Sequence, residues 1–210
     1  EKNAITDLYI QSQSIINYRI KRLGDLFFSI SILISLLPLL LFVSLFIFIE
    51  DKGPILYSQK RTGLFGKEIT ILKFRTMKKN AEEGGPQWSN RGDKRITKIG
   101  KYLRLTRIDE LPQLLSVIRG EMSLIGPRPE RPIIEKTFDS KIPFYSKRYE
   151  VLPGLSGWAQ VNYPYGASIN DAEMKLSYDL YYIKNFSFWL DLLIMLKTIK
   201  LVINLKGSQA

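Results

Sequence analysis

The sequence predicts an α+β fold, mostly helical around a small β-hairpin, with a membrane helix near its N-terminus and an amphipathic membrane-surface helix near its C-terminus. Three observations carry this. Leu26 to Ile49 is a run of 24 residues without a charge. Ile55 to Arg75 alternates, in part, on either side of a glycine-bearing turn, as half-buried strands do. Phe186 to Leu205 is apolar, with charges only at Asp191, Lys197 and Lys200.

Composition bounds the chemistry. The chain has 210 residues, enough for one domain with a real core, and a net charge of +11 that favours an anionic partner: nucleic acid, acidic lipid or a phosphorylated substrate. It has no Cys and no His. Disulfides, thiolate metal sites, Ser-His-Asp triads and His general bases are therefore excluded. Catalysis here must use Asp, Glu, Lys, Arg or Tyr, with or without a metal.

Residues 1–18 are polar and mixed, and read as a linker or N-terminal extension. Residues 19–50 form the membrane-embedded segment, and Lys21 and Arg22 precede its apolar run. At about 1.5 Å per residue the run reaches roughly 36 Å, enough to cross a hydrocarbon core of about 30 Å. Pro38 falls in its middle. There it removes one backbone hydrogen bond and clashes with the Ile34 carbonyl, while Ser31 and Ser35 can re-satisfy freed groups. The predicted helix is broken or kinked at Pro38, beside Ser35. It either spans with a kink or turns back to the face it came from. The basic flank and the basic region that follows favour the re-entrant form.

Residues 51–205 read as one further domain, the candidate catalytic part, and 206–210 as a tail. The hairpin bears Lys60, Arg61, Lys73 and Arg75. Lys78 to Asp93 is a breaker-rich loop, and Thr97 to Leu105 a basic helical segment. That segment leads to Asp109 and Glu110, adjacent carboxylates among Arg104, Arg107, Arg119 and Arg128. Such a pair suits Mg²⁺ and phosphate chemistry: the acids hold a hard cation, the guanidinium groups hold phosphates, and one acid can attack phosphorus. The ordinary alternative is a solvated helix edge. Pro112 either begins a new helix just after the pair or kinks one. Arg128 stands between Pro127 and Pro129, so a stiff backbone aims its guanidinium. Pro153 to Asn162 is a second glycine-rich turn segment, with Gln160 and Asn162 as amides able to bond a base or sugar. Phe186 to Leu205 would lie on a membrane, its lysines suiting anionic lipid.

These segments together resemble the bacterial sugar transferase family, the monotopic phosphoglycosyl transferases, from about Lys21 to Leu205. The motifs are Lys21-Arg22-x-x-Asp25, Gln59-x-Arg61-x-Gly63, Lys73-Phe74-Arg75-Thr76-Met77 and Asp109-Glu110-Leu111-Pro112-Gln113. Gly126-Pro127-Arg128-Pro129 and Pro153-Gly154-x-x-Gly157-Trp158-Ala159-Gln160-Val161-Asn162 follow in order. Two places depart from the pattern. Leu37, not Ser, precedes Pro38, and Tyr163 to Ser168 differs from the short members, which points to the larger subgroup and to a fragment of a longer protein.

The resemblance implies transfer of a sugar-1-phosphate from a UDP-sugar to polyprenyl (undecaprenyl) phosphate on the cytoplasmic face of a bacterial plasma membrane. Asp109 would be the nucleophile and Glu110 its partner, with Mg²⁺ held by both. Arg128 and Arg104 would hold phosphate, and Lys73, Arg75, Arg61 and Gln160 would line the substrate site. Nucleic acid is not an expected partner, and a homo-oligomer is left open. Two competing readings remain. One is a membrane-anchored, non-enzymatic binder of anionic lipid or nucleic acid, which would not need Asp109. The other is a lipid-phosphate enzyme with no covalent intermediate.

Overall fold

A computed structural model describes residues 15–81, 92–164, 166 and 168–205. Most of the N-terminal extension, the centre of the Lys78–Asp93 loop and the tail lie outside the described residues. The long apolar run is one helix, α1 (Ile15–Asp51), with Pro38 inside it, and its stretch from Tyr18 to Asp51 is long and apolar enough to cross a membrane. Most of its large apolar side chains are exposed, among them Phe27, Ile34, Leu41 and Phe46. Asp25, Ser29, Val43 and Ile47 are buried instead. Their spacing places them on one stripe of a helix with 3.6 residues per turn.

The hairpin forms as expected. β1 (Leu56–Thr62) and β2 (Glu68–Phe74) pair antiparallel, with Leu56 opposite Phe74 and Thr62 opposite Glu68. A short 3₁₀ turn, Leu64–Gly66, joins them. Because side chains alternate across a strand, Tyr57, Gln59 and Arg61 share one face, with Lys73 opposite Tyr57. Lys60 points the other way, to an exposed ion pair with Glu68 at 2.9 Å.

α2 (Lys98–Thr106) begins at Thr97, whose hydroxyl accepts from the Gly100 amide at 2.9 Å. It ends where Arg107 turns left-handed, at φ 59°. A 3₁₀ helix, Ile108–Gln113, contains Asp109, Glu110 and Pro112, and the helix expected near Pro112 begins directly after it as α3 (Leu114–Arg119). The left-handed Arg107 restarts the chain in a new direction. Pro112 lies near the end of this 3₁₀ helix, two residues before α3 begins.

Two strands of three residues each carry no period that a sequence can display. β3 (Ser123–Ile125) and β4 (Gly154–Ser156) pair in parallel. Around them come α4 (Pro132–Asp139), a 3₁₀ helix at Tyr145–Glu150, α5 (Trp158–Asn162), α6 (Ile169–Lys184) and α7 (Phe188–Ile203). The pairing requires glycine: a Cβ on Gly154 would overlap the Gly126 backbone N, and one on Gly126 would overlap the Leu152 carbonyl.

The apolar core is distributed. Ile71, Val117 and Met122 join β2 to α3, and Ile125, Tyr182, Ile183 and Ile194 join β3, α6 and α7. Val43 and Ile47 of α1 pack with Phe74 and Leu103. Val117, Met122 and Ile194 are wholly buried, and truncating one of them to Ala would cost on the order of 2–4 kcal/mol.

Both ends of α1 grip this body. At the N-terminal end Arg22 donates to the Val117 and Ile118 carbonyls at the end of α3, at 2.5 and 2.8 Å. Asp25 accepts from the Ser123 hydroxyl at 2.7 Å and from the Leu124 amide at 3.2 Å. At the C-terminal end Glu50 accepts from the Lys98 amide at 2.8 Å, and Asp51 pairs with Arg75 at 3.5 Å.

The charges of α7 correct one expectation. Lys197 does not face outward for lipid: it donates to Asn162 at 2.6 Å and lies 4.5 Å from the centre of the Trp158 ring. Asp191 accepts from Lys21 at 2.6 Å and from the Tyr182 hydroxyl at 2.8 Å. Burial makes such pairing advantageous, because an aromatic face and an amide oxygen replace lost water. The outward face carries Trp189, Leu193, Leu196, Ile199 and Ile203, and Lys200 is exposed as expected.

Candidate active site

The cations and acids singled out above come from distant parts of the chain. Lys73 is the last residue but one of β2, Arg75 follows the strand, and Arg104 lies in the last turn of α2. Asp109 and Glu110 sit in the 3₁₀ helix, Arg128 in the proline-flanked segment after β3, and Gln160 in α5. With Arg61 of β1 they all line one cavity of about 1370 Å³. Pro38 and Ser35 are exposed on α1 and do not line it.

Asp109 and Glu110 are both buried, at 8% exposure each, yet their surroundings differ. Glu110 accepts from Lys73 Nζ at 2.7 Å and from Arg128 Nη2 at 2.5 Å, with Arg107 at 3.9 Å. Burial works to raise its carboxyl, but Arg128 and Lys73 outweigh burial and hold it well below the usual range. Asp109 is the opposite case. Its Oδ1 is buried and has no hydrogen-bond partner. Burial and then the neighbouring Glu110 charge push its carboxyl up to about 6, although Lys73, Arg104 and Arg107 oppose this. Burial lowers Lys73, whereas the Glu110 charge raises Arg128 further. One acid is thus saturated by cations, and the other keeps one buried oxygen without a hydrogen bond beside it.

The other basic residues are held in different ways. Arg61 donates to Gln59 Oε1 at 2.9 Å, to the Pro129 carbonyl at 3.0 Å and to Glu130 at 3.1 Å. Arg104 donates to the Thr76 hydroxyl at 2.9 Å. Arg75 is 7% exposed, and its Nη1 and Nη2 make no hydrogen bond. Gln160 donates to the Leu155 carbonyl at 3.3 Å, and its buried Oε1 has no partner.

Mg²⁺ fits this donor set in one place. Mg²⁺ is commonly held by one or two carboxylates together with substrate phosphates. The unpartnered Asp109 Oδ1 is such a donor, whereas both Glu110 oxygens are taken by cations. Among the described residues no group of three or more His, Cys, Asp or Glu side chains gathers to hold a metal. A metal here would depend on Asp109 and on the oxygens of a phosphorylated ligand.

Sequence reasoning missed the support behind Arg128. Arg148 is buried and donates to the Arg128 carbonyl at 2.8 Å. It is held in turn by Asp179 at 2.8 Å and by the Tyr145 hydroxyl at 2.7 Å. A Lys147-Arg148 pair reads as surface, and nothing local points to Asp179 far along the chain. Proline stiffness is therefore only part of what fixes Arg128.

A family model described as bacterial sugar transferase matches residues 16–205. The chain belongs to the bacterial sugar transferase family. It is 45% identical over 190 residues to a UDP-N-acetylgalactosamine-undecaprenyl-phosphate N-acetylgalactosaminephosphotransferase of Aeromonas hydrophila, covering 90% of this chain and 45% of the relative. It is 44% identical over 166 residues to a UDP-glucose:undecaprenyl-phosphate glucose-1-phosphate transferase of Caulobacter vibrioides, covering 77% and 61%. A protein of the same name from Escherichia coli K12 is 34% identical over 197 residues, covering 93% and 42%. The chain thus spans about half the length of these curated relatives. As a bacterial sugar transferase it keeps its acid pair and its surrounding cations inside the matched region.

Proposed function

We propose that this chain transfers a sugar-1-phosphate from a UDP-sugar to undecaprenyl (polyprenyl) phosphate, giving a polyprenyl diphosphate sugar and UMP, the first membrane step of glycan assembly. The observation that carries it is the buried Asp109 carboxyl, whose Oδ1 has no hydrogen-bond partner, in a cation-lined cavity beside a neutralised Glu110. Membership of the family and the printed names of the relatives support the substrate classes.

In the first half-reaction an Asp109 oxygen attacks the β-phosphorus of the UDP-sugar. A carboxyl–phosphorus bond forms, the bond from the β-phosphorus to the bridging oxygen breaks, and UMP leaves with that electron pair. In the second, an ionised oxygen of the lipid phosphate attacks the same phosphorus and Asp109 leaves as carboxylate. Desolvation makes Asp109 reactive, because a buried carboxylate with one oxygen left without a hydrogen bond is poorly stabilised in its ground state. Arg128, fixed from behind by Arg148, and Lys73 counter the Glu110 charge, so a polyanionic donor can approach. Asp109 would hold Mg²⁺, joined by Glu110 if Lys73 or Arg128 releases it. Bound there, Mg²⁺ would neutralise phosphate oxygens and the departing nucleotide.

The same geometry supports a membrane setting. Both ends of α1 grip one body, through Arg22 and Asp25 at one end and Glu50 and Asp51 at the other. This supports a re-entrant helix bent at Pro38, with the body on the cytoplasmic face and the outward face of α7 lying on the lipid surface.

The test is UMP release from purified protein in nanodiscs with undecaprenyl phosphate, Mg²⁺ and a panel of UDP-sugars that includes glucose and N-acetylgalactosamine. Release that needs lipid and metal is expected, together with an intact-mass adduct of one phosphosugar. Asp109→Asn should abolish both, since an amide neither attacks phosphorus nor holds Mg²⁺ well. Turnover in Asp109→Asn comparable to wild type would refute the nucleophile, and turnover without any adduct would favour direct transfer.

A further inference from the structure

We infer that Arg75 is the seat of the acceptor's phosphate, the phosphate monoester on the lipid chain, while the nucleotide sugar is met by other cations of the same cavity. This rests on the transferase reading above and divides the cavity between its two substrates.

The division follows from which cations are already engaged. Lys73 and Arg128 are committed to Glu110, and Arg61 to Gln59, Glu130 and the Pro129 carbonyl. Arg75 lines the cavity, is 7% exposed, and leaves both terminal nitrogens without a hydrogen bond. Its ion pair with Asp51 is loose, at 3.5 Å, and Asp51 Oδ2 also lacks a hydrogen bond. A guanidinium carries five N–H donors in a fixed fork, and a buried one so little engaged is built to receive an oxyanion.

Location then chooses between the two phosphorylated substrates. Asp51 is the last residue of α1, and the Arg75 amide donates to the Ile55 carbonyl at 2.9 Å. Gly53 lies so close that a Cβ on it would overlap Arg75 Nη1, and the Lys79 side chain flanks the same glycine. The guanidinium therefore sits where the apolar helix passes into the hairpin. A polyprenyl chain stays in the hydrocarbon, so its phosphate enters the cavity from the membrane helix. A UDP-sugar arrives from water and has no need of that side.

The experiment separates the half-reactions. Wild-type protein in nanodiscs without undecaprenyl phosphate should release up to one UMP per enzyme from a UDP-sugar, and adding the lipid should give turnover. In Arg75→Lys, which keeps the charge but loses the fork, KM for undecaprenyl phosphate should rise about tenfold or more while KM for the UDP-sugar moves less than about twofold. Gly53→Ala, which displaces the guanidinium without removing it, should show the same selectivity and keeps the test alive if Arg75→Lys folds poorly. A donor KM that rises as far as the acceptor KM, or an acceptor KM unchanged in both variants, would overturn the assignment. So would a defect that tracks added phosphatidylglycerol rather than undecaprenyl phosphate. Absence of UMP release in the wild type itself would overturn the transferase reading, and the Arg75 assignment with it.

Discussion

Asp109 and Glu110 differ by one methylene and one position, and their neighbours give them opposite characters. Cations take both oxygens of Glu110, while Asp109 keeps a buried oxygen unpartnered. A third acid, Glu135, shows burial outweighing its nearby cation. Burial pushes its carboxyl from 4.5 to about 7, with Thr62 and Arg148 opposing. A carboxyl raised on folding keeps its proton in the folded state after the unfolded chain has lost its own. Stability is therefore lost as pH climbs from about 4.5 to about 7, and no further loss follows above that, for a total on the order of 3 kcal/mol. Glu135→Gln should flatten the curve. Thermal melts at pH 5 and pH 8 should show the variant gaining on wild type by several degrees at the higher pH. An equal gap at both pH values would mean that Glu135 does not stay protonated.

At the scale of elements, the parallel pair β3–β4 sets the site. It joins the segment leading to Arg128 to the segment leading to Gln160, through Gly126 N donating to the Ser156 carbonyl at 2.9 Å and Gly154 N to the Pro127 carbonyl at 2.8 Å. Gly154→Ala would force these backbones apart. It should lower the melting temperature and cut UMP release at least tenfold, the cost of an active site misplaced by about an ångström; full activity at unchanged melting temperature would contradict the pairing. α7 supports a different prediction. Trp189 is 74% exposed and Leu196 56% exposed on its outward face. With both changed to Ser, the purified protein should retain its fold by circular dichroism while losing activity on vesicles, with most of it restored in detergent. Unaltered activity on vesicles would argue that this face does not meet lipid.

For the whole molecule, the two-ended grip of α1 is the governing fact. The helix end bearing Arg22 and Asp25 touches α3 and β3, and the end bearing Glu50 and Asp51 touches α2 and Arg75. All four contact points lead to cavity-lining segments, so membrane helix and site form one mechanical unit. Tags placed at the N- and C-termini should both be digested by protease only from the cytoplasmic side of inner-membrane vesicles. Protection of the N-terminal tag from that side alone would establish a span instead of a re-entrant helix.

Much of this was legible in the residues alone. The uncharged run, the hairpin alternation and the Asp-Glu pair among arginines are local patterns, and local patterns are what a sequence displays. They determined an α+β chain, mostly helical with one small hairpin, carrying one long apolar helix and a basic phosphate-suited site. The tertiary structure decided the rest, because it depends on groups that meet only after folding. Three-residue strands have no period to read, so the β3–β4 pair was hidden. Arg148 meets Asp179 and the Arg128 carbonyl across long stretches of chain, and Lys197 turns inward to Trp158 instead of out to lipid. Which cations engage Glu110, and which acid oxygen and which guanidinium nitrogens are left without a hydrogen bond, is a matter of distances of a few ångströms. Composition counts charges, and only the folded chain pairs them.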